Sequence, residues 1–220
     1  MTQTRPNLGS SQFLLTGFNL SDAQAGIMEG TMTKSRLEAF SDGVIAILIT
    51  IMVLELRPPH EANFEAFLKQ YPLFLSYALS FVMIGIYWNN HHHLLHGVKK
   101  ISGSVMWANL HLLFWLSLIT FATNWAGETH FATLPVAIYG FVLFMSGVSY
   151  TILAKSLVRA NGQDSEIATA LGRDWKGKAS LALYLLALPL AWISPIISCV
   201  IYFAVAGMWF VPDRRFENRS

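Results

Sequence analysis

Charge is scarce in this chain. Asp, Glu, Lys and Arg make up 13% of its 220 residues, whereas 54% are hydrophobic and the mean hydropathy is +0.45. A typical soluble domain is about 25% charged, so this composition excludes a water-soluble globular protein and points to an integral membrane protein. The one cysteine, Cys199, permits no internal disulfide, and nothing about compartment follows from it. No segment between the apolar runs is large enough for a soluble domain, so any activity must reside among membrane-embedded helices. His-Glu-x-x-His is missing, and no serine or cysteine nucleophile stands with a plausible base. An intramembrane enzyme therefore has only a histidine and aspartate cluster in its favour, and no enzyme is expected.

What the chain does have is six apolar stretches, at about 35–56, 73–95, 104–126, 133–157, 175–193 and 195–211. Roughly 20 such residues cross about 30 Å of hydrocarbon. The last two are short and joined by a tight turn at Ser194-Pro195. Alternating the loops between two sides places every lysine and arginine except Arg57 and Lys69 on one side. By the positive-inside rule that side is cytoplasmic, which predicts a multi-pass protein of the cell membrane with both termini cytoplasmic. Trp107, Trp125, Trp175, Trp192 and Trp209 fall near span ends, where indole anchors a helix between headgroup and hydrocarbon. Residues 1–33 read as a flexible tail, 34–213 as the membrane domain and 214–220 as a cytoplasmic tail. Met32 opens Met-Thr-Lys-Ser-Arg directly before the first span and offers an alternative start. The connection 158–174 is expected to include a short surface helix.

The first span places one carboxylate, Asp42, inside its beginning, where a charge is costly and needs partners. At about 100° per residue, Phe40, Gly43, Ile47, Thr50, Ile51 and Leu54 share one stripe and Asp42 lies roughly opposite. An uncharged stripe backed by a polar anchor suits a helix lining a narrow, poorly hydrated pore. One such helix has no opposite wall, so a pore needs several copies around an axis.

Four histidines, His91, His92, His93 and His96, end the second span. His91, His92 and His93 fan over about 200° of helix, so they cannot converge on one ion; only His92 or His93 shares a face with His96. No metal site is expected. Instead Ser41, Asp42, Trp88, one or two of His92, His93 and His96, and Asn109 of the third span are expected to form an interhelical hydrogen-bond network that fixes the rotation of span one. Arg36 and Phe40 are assigned to the same structural group.

The run Arg36-Leu37-Glu38-Ala39-Phe40-Ser41-Asp42-Gly43-Val44-Ile45-Ala46-Ile47, followed by Thr50 and Leu54-Glu55-Leu56, resembles the first-helix signature of the prokaryotic relatives of transmembrane protein 175, the endosomal and lysosomal potassium channel. Trp88-Asn89-Asn90-His91-His92, Asn109-Leu110-His111, Phe121-Ala122-Thr123-Asn124-Trp125 and Pro212-Asp213-Arg214-Arg215 extend the resemblance in order. It implies an all-α homotetramer of six-helix subunits whose first helices surround the ion path, with no resident cofactor. The implied pore positions are Ile47 as hydrophobic constriction, with Ile51 and Leu54 on the same face, and Thr50 for selectivity. Potassium is the implied permeant ion, with sodium weaker. The chain has no Thr-Val-Gly-Tyr-Gly filter, so discrimination rests on a greasy neck and one hydroxyl ring. Glu55 is expected at the outer mouth, concentrating cations. The alternative is a proton- or cation-coupled secondary transporter using the Asp/His cluster. Such carriers commonly show inverted repeats and mid-membrane helix breaks; the first span has Gly43 near its cytoplasmic end but no mid-span break, and the chain shows no inverted repeat.

Overall fold

A computed structural model describes residues 33–165, 167–169 and 174–210. Thr33 aside, the expected tails lie outside the described residues. Among the described residues, seven helices of six residues or more follow in order: α1 (Lys34–Leu54), α2 (Phe64–Lys69), α3 (Tyr71–His96), α4 (Gly103–Glu128), α5 (Thr133–Asn161), α6 (Trp175–Ile193) and α7 (Pro195–Phe210). Five of them, α1, α3, α4, α5 and α6, are long and apolar enough to cross a membrane. The sixth expected span is a helix of 16 residues, α7.

The helix ends follow local chemistry. Ser102 and Asp174 precede α4 and α6 and accept from backbone N–H groups of the first turn, Val105 at 3.4 Å and Gly177 at 2.9 Å. Such caps satisfy donors that have no intrahelical partner. Ser194, held extended before Pro195, ends α6 and lets α7 begin. α5 runs through Asn161 and stops at Gly162, whose φ of +98° suits glycine. The connection expected at 158–174 is therefore shorter than the sequence implied, and 167–169 form its described helical part.

The short helix α2 was not expected. Its signal is nevertheless local: Asn63 Oδ1 accepts from Ala66 N at 2.7 Å, and Glu65 pairs with Lys69 at 3.0 Å one turn on.

The core lies between α3, α4, α5, α6 and α7, with Leu112, Leu116, Ile119, Leu143, Leu153 and Tyr202 almost fully enclosed. Close approach of α3 and α4 depends on Gly127: a Cβ there would lie 2.6 Å from Ser76 Oγ and 2.8 Å from the Leu73 Cα. A buried bond set, Thr123 to Ser80 and Ser80 to the Tyr139 hydroxyl, ties α4, α3 and α5 together. α1 packs on α3 and α4. It buries Leu37, Ser41, Ile45, Leu48 and Met52, a stripe at the 3.6-residue period, and turns its other face outward.

Candidate functional site: the first helix and its polar anchor

The outward face of α1 is uncharged from Ala39 to Leu54. Phe40, Gly43, Ile47, Thr50, Ile51 and Leu54 are all exposed, Ile47 to 56% and Leu54 to 76%. Glu55 follows as the C-cap and is also exposed. The Thr50 hydroxyl donates to the Ile47 carbonyl at 2.9 Å. With its proton committed to the backbone, Thr50 presents oxygen lone pairs outward, as an acceptor suited to a cation.

The inward face is fastened by polar groups at one level. Asp42, half-buried, accepts from Trp88 Nε1 at 3.0 Å, a bond from α3 to α1. Ser41 and Asn109 are completely enclosed, and His91 is 1% exposed. Asn109 Nδ2 donates to Ser41 Oγ at 2.9 Å, and Ser41 Oγ donates to the Leu37 carbonyl at 2.8 Å. The second partner of Asn109 is His91 Nε2, at 2.8 Å from Oδ1. An amide oxygen only accepts, so Nε2 must carry the proton. A directed chain thus runs from α3 through α4 to α1, and every member is oriented by its neighbour. Near the start of α1, Lys34 Nζ donates to the His96 carbonyl at 2.7 Å and lies 3.7 Å from Glu38.

Several sequence expectations meet a different arrangement. The histidine in the chain of bonds is His91, not His92, His93 or His96. His91 lies in phase with the buried positions Ser80, Ile84 and Leu95 of α3 and so faces α4. His92 and His96 lie on the exposed side. There the His92 ring stacks on Trp88 with centroids 6.2 Å apart, and His96 lies 6.4 Å from His92. His93 is half-buried between the two faces. Reading the period of the α3 apolar stripe through the histidine run would have selected His91. Arg36 is exposed and makes no ion pair among the described residues. Phe40, 47% exposed, belongs to the outward stripe of α1 and not to its anchor. Among the described residues no group of three or more His, Cys, Asp or Glu is placed to hold a metal.

Comparison with known proteins agrees with this architecture. Residues 36–119 match the family described as endosomal/lysosomal potassium channel TMEM175, a segment that holds α1, α3 and most of α4 with the whole anchor. A potassium channel of Chryseobacterium sp. (strain P1-3) is 50% identical over 187 residues, covering 85% of this chain and 97% of that protein. One of Streptomyces collinus is 30% identical over 57% of this chain and 65% of its own length. The crystal structure of a lysosomal potassium-selective channel TMEM175 homolog from Chamaesiphon minutus superposes with a TM-score of 0.72 at 26% identity, covering 83% of this chain and 97% of that one. With the fold matched and a half-identical relative covered nearly end to end, the chain belongs to the TMEM175 family as one of its prokaryotic members.

Proposed function

We propose that the protein is a potassium-permeable cation channel, formed by four copies whose six helices each cross the membrane and whose α1 helices surround the ion path. The observation that carries this reading is the division of α1. Its buried edge is pinned through Ser41 and Asp42 to α4 and α3, and its exposed edge, which includes Phe40, Gly43, Ile47, Thr50, Ile51 and Leu54, carries no charge from Ala39 to Leu54. Lipid alone would be satisfied by aliphatic residues without such a rigid anchor; a permeation path needs one face held at a set rotation. The potassium-channel names of the relatives supply the ion.

In this arrangement four Ile47 side chains form the narrowest ring, with Ile51 and Leu54 extending the greasy neck. An ion crosses it by shedding water or by widening the ring, which makes the neck a dewetting gate. Potassium loses water more readily than sodium. A ring of Thr50 oxygens, their protons already spent on Ile47 carbonyls, replaces part of the lost hydration and favours the larger ion. Four Glu55 carboxylates at the outer mouth raise the local cation concentration. Asp42 takes no part in the path, because Trp88 holds it on the opposite side of the helix. The charge asymmetry puts both termini in the cytoplasm.

Reconstitution tests the reading. Purified full-length protein in liposomes with a potassium gradient should pass potassium to a flux dye, show discrete single-channel steps in planar bilayers, and give a four-chain mass. Flux without steps would move the protein to the carriers, which turn over too slowly to show them. A monomer would remove the pore altogether.

A further inference from the structure

The ends of α1 and α4 that carry Glu55 and Glu128 enclose a groove of about 300 Å³. Its apolar walls are Ile51 and the rings of Phe121 and Trp125, whose centroids lie 5.7 Å apart at 42°. Glu55 and Glu128 line it with Thr120 and Asn124, and no lysine, arginine or histidine does. Neither glutamate has an ion pair among the described residues. Thr120 donates its hydroxyl proton to the Ser117 carbonyl at 2.7 Å, so toward other groups it can only accept. Asn124 Oδ1 is buried without a hydrogen-bond partner, alone in this among the buried side-chain polar atoms of the described residues. With two carboxylates and no cationic side chain, the lining carries negative charge, and it attracts cations.

Its size and walls decide which kind. A calcium ion takes six to eight oxygens at about 2.3–2.6 Å, a shell that two carboxylates in so wide a groove do not supply, and no three-residue metal cluster exists among the described residues. A hydrated alkali ion gains nothing from Ile51 and the Phe121 face. An organic ammonium uses every part of the lining: its N–H groups make charge-assisted bonds to carboxylates, its charge is attracted to the indole and phenyl faces, and an alkyl stem covers the apolar wall. The volume is at the lower end of that of small-ligand sites.

We infer that the groove between α1 and α4 binds a primary alkylammonium ion taken from the aqueous phase, held by Glu55 and Glu128 against the Phe121 and Trp125 rings. The site is complete within one chain and does not depend on the channel reading. If that reading holds, a bound ammonium beside Ile51 obstructs the neck.

Binding is tested on the full chain in an uncharged maltoside detergent, by calorimetric titration with n-butylammonium chloride. Titrations with n-butanol and with potassium chloride at matched ionic strength serve as controls. Saturable binding with a millimolar midpoint is expected for butylammonium and not for butanol. Glu128→Gln and Glu55→Gln should each weaken it at least tenfold, and Trp125→Leu several-fold. Binding that does not saturate, that butanol reproduces, or that survives the double substitution Glu55→Gln with Glu128→Gln overturns the site. Loss of the response when phosphatidylethanolamine is added to the micelles overturns the soluble source and gives the groove to a lipid headgroup. Butylammonium binding by a protein that passes no potassium would leave this site standing and remove only the channel reading.

Discussion

Replacing Asn109 by leucine removes the central link between α1 and the bundle while keeping the branched shape and the number of side-chain heavy atoms. The side chain is fully enclosed and makes two interhelical bonds, to Ser41 Oγ at 2.9 Å and from His91 Nε2 at 2.8 Å. Bonds of this kind in a membrane protein contribute roughly 0.6–1 kcal/mol each. His91 is left with a buried donor and no acceptor, at a further cost of about 1–3 kcal/mol. Ser41 suffers less, because its own proton stays on the Leu37 carbonyl. The sum is about 2–5 kcal/mol. At about 2–4 °C per kcal/mol for a chain of this size, the thermal midpoint should fall by about 4–20 °C. Intrinsic tryptophan fluorescence on heating, at one scan rate in one detergent, measures it. Ser41→Ala should cost less, since of the two interhelical bonds it removes only the one from Asn109 Nδ2. Once Asn109 is leucine, Ser41→Ala has no interhelical bond left to break, so the double variant should melt close to Asn109→Leu alone. A fall of under 2 °C for Asn109→Leu, or additive effects in the double variant, refutes the argument that this chain of bonds holds α1.

Ile47→Asn should raise cation current and lower potassium-over-sodium discrimination in planar bilayers, since a polar ring no longer expels water; unchanged conductance would take Ile47 out of the neck. Thr50→Ala should shift the reversal potential under opposed potassium and sodium gradients toward weaker potassium preference, and an unmoved potential would end its role in selectivity. Gly127→Ala should destabilise the protein by about 1–3 kcal/mol, because the new methyl meets the Leu73 backbone at 2.8 Å and pushes α3 from α4; an unaltered thermal midpoint would show that the two helices can part without cost.

Local pattern made much of this legible. Apolar runs gave the positions of the long helices to within a few residues, because a membrane span is set by its own length and polarity. The orientation of α1 is likewise a property of its period: Leu37, Ser41, Ile45, Leu48 and Met52 recur every three or four residues, so one face is buried and the stripe from Phe40 to Leu54 is left outward. Helix α2 and the extension of α5 through Asn161 were missed because short helices and helix ends are decided by caps such as Asn63 and Gly162, which carry little hydropathy signal.

By itself the sequence determined that this is a helical membrane protein, and that its first helix has an uncharged edge roughly opposite Asp42. Only the tertiary structure decided which histidine reaches Asn109, since His91, His92, His93 and His96 are chemically equal and differ only in which way α3 turns them toward α4. It also decided that Glu55 and Glu128, 73 residues apart in the chain, line one groove. The physical reason is common to both. Periodicity along one helix fixes which residues share a face, but the neighbour that face meets is settled by how separate helices pack, through contacts such as the close approach at Gly127 that no local pattern records.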